Sequence, residues 1–399
     1  MGQSFELVAR STLRYQFELK DSSGLPNPDP GLFAIHVIED RAPEVSVLSP
    51  GRGDVDTILG GALSLRVRAE DDFGLGAMRW SVNDGSAPDA VTAGGPLEWQ
   101  PITVQRVAAD GVRRLRVAGL GTRRLYVEDL STDEKIVEGQ QFTIRVEVDD
   151  NRAPEPQTAQ SIGVRVRVVS SDGFMRRVQD RLSRVRLQAT ALGELQREKL
   201  GRTQDLIASL ASDQPADGTE ASDLASALTG QRRVLGDSRA LSRELASIVK
   251  TVLYSRIDER GEALFEAIDS RLAAYTDRSF HAQAWQELVT GYDDGQYGAA
   301  GLSGKLVEIL GLGLAISETH ASEALEALAR ANDAADMARV HEALSGAGVF
   351  QARTLTEIES LLERLSEWEN FQSILTLTRD ILNRQKNLTE RTRQFAKDN

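Results

Sequence analysis

Side chains along this chain keep one rhythm up to about Ser170 and another after it, and that switch bounds every fold open to it. Before the switch, Leu63, Leu65 and Val67; Met78, Trp80 and Val82; Phe142, Ile144, Val146 and Val148; and Val164, Val166 and Val168 alternate with other residues. A period of two lays each set on one face of a strand. Arg66, Arg68, Arg145, Arg165 and Arg167 fill the intervening positions, so the second face is expected to be wet. One dry and one wet face predicts antiparallel sheets joined as a β-sandwich. Turn signals stand at Asn83-Asp84-Gly85, Gly94-Gly95-Pro96 and Ala109-Asp110-Gly111.

After the switch, Phe174, Val178, Val185, Leu192 and Leu195 fall mainly at steps of three, four or seven, with Asp172 placed to cap a helix. Ile358, Leu361, Leu365, Trp368, Leu375 and Leu382 keep a heptad seam that Gln372 and Arg379 interrupt. Such a polar-broken seam predicts packing in a bundle. Thr354 and Glu357 have the spacing of a capping box for this last helix. Shorter helical stretches are expected at 221–254, 262–276 and 321–344, with loops at 212–218 and 292–304. The simplest arrangement sets the first and last long helices antiparallel, with the shorter ones inserted. The alanine-rich stretch Ala321–Ala343 suits a tight helix hairpin.

The division is therefore multidomain. Residues 1–42 hold two or three strands, led by Leu13, Tyr15, Phe17 and Leu19 and by Phe33, Ile35 and Val37. These are too few to close a sandwich, so they are expected to end a truncated domain. Residues 43–170 form the β-sandwich, and 171–399 the all-α part. Asp40-Arg41-Ala42-Pro43 reads as a linker, because a residue before proline is driven extended. The same acid-then-proline pattern returns at Asp149-Asp150-Asn151-Arg152-Ala153-Pro154 and suggests tandem units.

Composition narrows the role. A formal charge of −13 argues against nucleic acid, whose phosphates need a concentrated basic surface. The absence of cysteine excludes disulfides, thiolate zinc sites and cysteine nucleophiles. The most apolar run, Leu306–Ile316, is too short to span a bilayer and contains Glu308. Membrane attachment is thus expected only through a segment outside the chain. Ala299–Leu306 has the Gly304-Lys305 of a phosphate loop but Leu306 where Ser or Thr belongs, and no strand precedes it. His36, His281, His320 and His341 have no ligand partner at helical spacing. No catalytic set emerges, so the expected role is non-catalytic.

One acidic constellation is more specific. Asp40 precedes the linker proline, Glu70-Asp71-Asp72 follows the strand of Leu63, and Asp149, Asp150 and Asn151 start the second junction. Hard oxygen ligands clustered at a domain junction suit calcium, which takes six to eight of them. The arrangement is similar to the inter-domain calcium sites of cadherin-like modules, although Arg41 stands where their linker has Asn-Asp. No other cofactor is expected.

The strings Glu39–Val45, Ala69–Leu75 and Glu138–Pro154, with Arg384–Thr392 near the end, resemble large bacterial envelope proteins of unknown function. Those are membrane-anchored and carry tandem Ig-like sandwiches followed by coiled-coil segments. The resemblance implies an extracytoplasmic location (periplasm or cell envelope), an anchor upstream of Met1, and no reaction. The leading expectation is a structural or protein-interaction role, with sandwich spacers and helices that bind a partner or self-associate. Calcium-dependent adhesion or rigidification is the alternative, and a hydrolase with a carboxylate pair the lesser one. Carbohydrate binding would rest on Trp99 and Tyr126.

Overall fold

The computed structural model describes residues 7–398 except 8, 10, 28, 52, 86–90, 108–112, 133–134, 211–219, 299–300 and 335; side chains of 103–115 and of most of 371–398 are also outside the described residues. Two short strands, β1 (Leu13–Gln16) and β2 (Leu32–Ile35), pair antiparallel as a separate hairpin. Tyr15 stacks on Phe33 with ring centroids 5.4 Å apart. Ten further strands follow: β3 (Glu44–Ser49), β4 (Asp54–Thr57), β5 (Ala62–Asp71), β6 (Leu75–Asn83), β7 (Val91–Pro96), β8 (Trp99–Val107), β9 (Arg113–Tyr126), β10 (Gln141–Asp150), β11 (Thr158–Gln160) and β12 (Val164–Val168). They build one sheet in the order β3-β5-β9-β8 and another in the order β4-β12-β10-β6-β7, with β11 added to β10.

The four alternating apolar sets between Leu63 and Val168 lie in these strands, whereas Phe17, Leu19 and Val37 fall outside β1 and β2. Leu63, Leu65 and Val67 of one sheet share a single core with Val82, Phe142, Ile144, Val146 and Val166 of the other. The pairing is antiparallel except for β4 against β12, which is parallel. Two expectations about punctuation need correcting. Gly94-Gly95-Pro96 is not a turn but part of β7, paired to Trp80 and its neighbours. A Cβ on Gly94 would stand 2.8 Å from the Trp80 carbonyl oxygen, so glycine here lets two strands approach. After Asp150 the chain does not leave the sheet either, because β11 and β12 both return to β10. Ala109-Asp110-Gly111 lies outside the described residues.

The expected wet face holds for β10 and β12, where Arg145, Arg165 and Arg167 are half-buried or exposed. It fails for β5. Arg66 is 5% exposed, because helices cover the second face of that strand. Its guanidinium donates to the Tyr275 carbonyl, and Arg68 donates to that of Thr276 at 3.5 Å. A central strand with alternating arginines is thus buried on both faces, one apolar and one charged.

The helices are α1 (Ser171–Leu210), α2 (Glu220–Ser255), α3 (Glu262–Ala273), α4 (Ala282–Asp293), α5 (Leu302–Leu314), α6 (Ala321–Asp333) and α7 (Met337–Asp398). A π-helical turn, Ala315–His320, carries α5 into α6. None among the described residues is long and apolar enough to cross a membrane. The apolar run Leu306–Ile316 is α5 with this turn, buried at Leu306, Val307, Ile309, Leu310, Leu314 and Ile316. Gly304 and Lys305 sit in the first turn of α5, not in a phosphate loop. Residues 212–218 lie outside the described residues.

α1 and α7 run antiparallel, joined by the Arg186–Glu369 and Arg197–Glu359 ion pairs, the latter at 3.1 Å. Both helix starts differ from expectation. Ser170, not Asp172, caps α1, its hydroxyl accepting from Gly173 N at 3.2 Å. Thr354 does not open α7 but lies fully buried inside it, its hydroxyl turned back to the Phe350 carbonyl at 2.8 Å. The cap is Asp336, which accepts from Arg339 N at 2.9 Å. Leu361, Leu365 and Trp368 of the seam are buried, whereas the Leu375 and Leu382 side chains are outside the described residues.

A polar layer interrupts this helical core. Gln351 donates to Gln231 at 3.0 Å, while Gln196 is fully buried with neither amide atom partnered. An orphaned buried amide costs about 1–3 kcal/mol. Gln196→Leu is therefore expected to raise the unfolding free energy by about 1–2 kcal/mol. Urea denaturation checks this, and a lower midpoint would count against it.

Candidate metal centre

The linker acid and the acids ending β5 and β10 converge at one end of the sheets. Backbone pairing explains why. Asp150 of β10 lies opposite Leu75 of β6, so the end of β10 meets the β5–β6 turn that Asp71 and Asp72 begin. Asn151 N donates to the Gly74 carbonyl at 3.1 Å. The Asn151 amide packs against Gly74 so closely that a Cβ there would lie 2.2 Å from its nitrogen. Gln157 then donates its side-chain amide to the Asp40 carbonyl at 3.2 Å, holding the linker against this end.

Asp71 and Asp150 each use one carboxylate oxygen to hold the local backbone and leave the other without a donor. Asp71 is 1% exposed; its Oδ2 accepts from Phe73 N at 2.8 Å and Gly74 N at 2.7 Å. Asp150 is 3% exposed; its Oδ1 accepts from Arg152 N at 3.1 Å and Gln157 N at 2.8 Å. The second oxygens, Asp71 Oδ1 and Asp150 Oδ2, are buried without a hydrogen-bond donor, as is Asp40 Oδ1. Carboxylate oxygens of Asp40, Asp71 and Asp72 all lie within 4.8 Å of one another. Burial first, and then the charges of Asp150, Asp71 and Asp72, push the Asp40 carboxyl above its usual range, against the pull of Arg152.

Of the seven candidates, then, Asp40, Asp71 and Asp72 come together, Asp150 is near enough for its charge to act on Asp40, and Asn151 packs beside them against Gly74. Glu70 and Asp149 do not join. Glu70 alternates to the opposite face of β5 and pairs with Arg68 at 2.5 Å. Asp149 turns outward to Arg79 at 2.8 Å and the Thr158 hydroxyl at 2.8 Å. Burial raises its pKa, but those two partners outweigh burial and hold it below the ordinary value. Arg41 is exposed, and Arg152 is the cation whose charge acts on Asp40. Sequence reading missed Gln157, which carries no acidic signal and counts only because β11 returns beside the linker.

The donor set fits a hard divalent cation. Oxygens on opposite sides of a calcium ion stand about 5 Å apart, twice a bond of about 2.3–2.6 Å. Three carboxylates within 4.8 Å meet that spacing, and unpartnered buried carboxylates lack the compensation that burial of charge demands. Other candidates are weaker. Trp99 is half-buried and donates to the Gly76 carbonyl at 3.1 Å, and Tyr126 lies beneath Arg256 at 5.3 Å, so neither presents an open sugar platform.

No family model matches the chain, and no curated protein does. One solved structure that it is similar to is Astrotactin-2, a conserved vertebrate-specific and perforin-like membrane protein involved in neuronal development. The identity is 9%, with 73% of this chain and 41% of that chain covered, at a TM-score of 0.19. The chain thus spans less than half of that structure, and a likeness this low carries no argument about fold or role.

Proposed function

We propose that this chain is a non-catalytic structural module of the cell envelope, in which calcium locks an Ig-like β-sandwich to the segment before it. The observation that carries the reading is that the Asp40, Asp71 and Asp72 carboxylates lie within 4.8 Å of one another, with Asp40 Oδ1 and Asp71 Oδ1 buried and satisfied by no donor. Asp40 belongs to the linker and the other two to the end of β5 and the turn after it, so an ion shared among them fixes the linker's direction. A spacer needs this property. Weak calcium sites work where the free ion is about millimolar, which agrees with the extracytoplasmic setting that the resemblance implies. The helical half, with its coiled-coil-like α1–α7 pair, is the part that meets a partner or a second copy. Ile381 on the distal part of α7 is 52% exposed, as a docking helix requires.

Calorimetric titration tests the calcium reading. The expected result is one calcium bound with a Kd of roughly 0.1–1 mM and weaker binding of magnesium, whose octahedral demand a carboxylate cage of this kind meets poorly. Absence of heat together with an unmoved melting temperature at about 10 mM calcium would end the proposal.

A further inference from the structure

A second site lies far from the acids, in a cavity of about 550 Å³ between β4, β5 and the helices α1 and α2. That volume is within the range of about 300–1,000 Å³ usual for small-ligand pockets. Its walls combine apolar and polar surface: Phe174 and Val178 from α1, Leu63 from β5, and Ser49, Lys250 and Tyr254. Lys250 is half-buried, its ammonium 3.1 Å from the Ser49 hydroxyl and 5.2 Å from the centre of the Tyr254 ring. Neither group carries a negative charge, and no described carboxylate forms an ion pair with Lys250. Asp269, the one acid whose charge pulls on it, is bound instead by Arg124 and the Tyr254 hydroxyl.

The other cations of the wall are compensated or solvated. Arg177 pairs with Asp56, and Arg181 with Glu244 at 2.9 Å. Arg184, Asp54 and Asp180 lie exposed at the rim, where water and salt screen them. One uncompensated ammonium therefore remains inside, beside an apolar wall. A partly desolvated cation without a counter-charge is costly, and burial together with the neighbouring Arg66 pushes Lys250 down to about 8. A ligand that restores the balance brings one negative charge. Arg66 does not line the cavity and is turned to the Tyr275 carbonyl, so a dianion would bring a second charge that no cation inside the wall meets.

We propose that this cavity binds a small amphipathic monoanion, a carboxylate with an apolar tail, its head on Lys250 and its tail along Phe174 and Val178. The site rests on different residues from the calcium reading, and either can fail without the other.

Octanoate is the probe, with octan-1-ol and octylamine as its neutral and cationic counterparts, followed by calorimetry and ligand-observed NMR on the whole chain. Octanoate is expected to bind with a Kd of about 1 mM or tighter, and the alcohol and amine at least about tenfold more weakly. Lys250→Met, which keeps the length of the side chain and removes the charge, is expected to weaken octanoate about tenfold while the melting temperature holds or rises. Lys250→Arg is expected to retain binding. Equal affinity for octanoate and octan-1-ol in the unaltered chain would overturn the proposal, and so would an unchanged octanoate affinity in Lys250→Met.

Discussion

Asp269→Ala is expected to lower stability by about 3 kcal/mol and to divide one melting transition into two. Asp269 lies on α3 and is where the helices grip the β3-β5-β9-β8 sheet. Arg124 of β9 reaches it at 2.7 and 3.0 Å while also bracketing Glu266 at 2.6 and 2.9 Å. From the other side the Tyr254 hydroxyl donates to it at 2.6 Å. Tyr254 is 7% exposed, and burial followed by the Asp269 charge drives its pKa well above the ordinary phenol value. Removing the carboxylate leaves that hydroxyl without an acceptor, at a cost of about 1–3 kcal/mol. It also takes two charge-assisted bonds from Arg124, which keeps Glu266 and so loses only about 1 kcal/mol more. Both losses fall on the contact between sheet and helices. Ile58, just after β4, and Ala62, the first residue of β5, are part of the helical core, which is why the intact chain is expected to unfold in one step. Adding Tyr254→Phe to the variant removes the orphaned hydroxyl and should recover about 1–2 kcal/mol. Scanning calorimetry of the single and double variants decides. A melt for Asp269→Ala within about one degree of the parent's would mean that the two halves stand independently.

What the sequence left legible follows the range over which each signal acts. Alternation is local, so Leu63, Phe142 and Val164 announced their strands, and the heptad steps of Ile358 to Trp368 announced a helix. The partner of a face is not local. Arg66 has the spacing of a solvated residue and is buried because the loop carrying Tyr275, 209 residues away, meets it, with Tyr254 of α2 and Asp269 of α3 near enough to act on its charge. Thr354 and Glu357 have the spacing of a cap, yet helix on both sides makes the same threonine a buried hydroxyl bonded to its own backbone. Two glycines before a proline signal a turn, but Gly94 serves close strand approach, which depends on Trp80 across the ladder. The linker and the end of β5 bring Asp40, Asp71 and Asp72 within 4.8 Å of one another. Strand parity then divided the acids: Asp71 and its neighbour Glu70 point to opposite sides of β5, a distinction that composition alone does not make. The Lys250 cavity had no sequence signal. A lysine on an amphipathic helix reads as solvated until the sheet that covers it is known.

Asp71→Asn is expected to stabilise the calcium-free protein and to cancel its response to calcium, so that the two proteins exchange rank as the ion is added. The substitution keeps the local frame, since an amide oxygen still accepts from Phe73 N and Gly74 N, now held at 2.8 and 2.7 Å by Asp71 Oδ2. What it changes is the orphaned side of the group. Asp71 Oδ1 has no donor and lies among the carboxylates of Asp40 and Asp72, a like-charge arrangement that opposes folding when no cation is present. An amide there removes one charge and supplies an N–H to its neighbours, a gain of about 1 kcal/mol. With calcium the order reverses. The unaltered site gains about 2.7 kcal/mol at a hundredfold excess of ion over Kd, whereas the variant lacks a charged ligand at the most buried position and gains little. Melting curves of both proteins, with chelator and with about 10 mM calcium, place the crossing. Were the variant to keep the full calcium shift, the ion would be binding elsewhere. Were it instead less stable than the parent in chelator, the three acids would be held by partners of their own, and the linker would have no need of a metal.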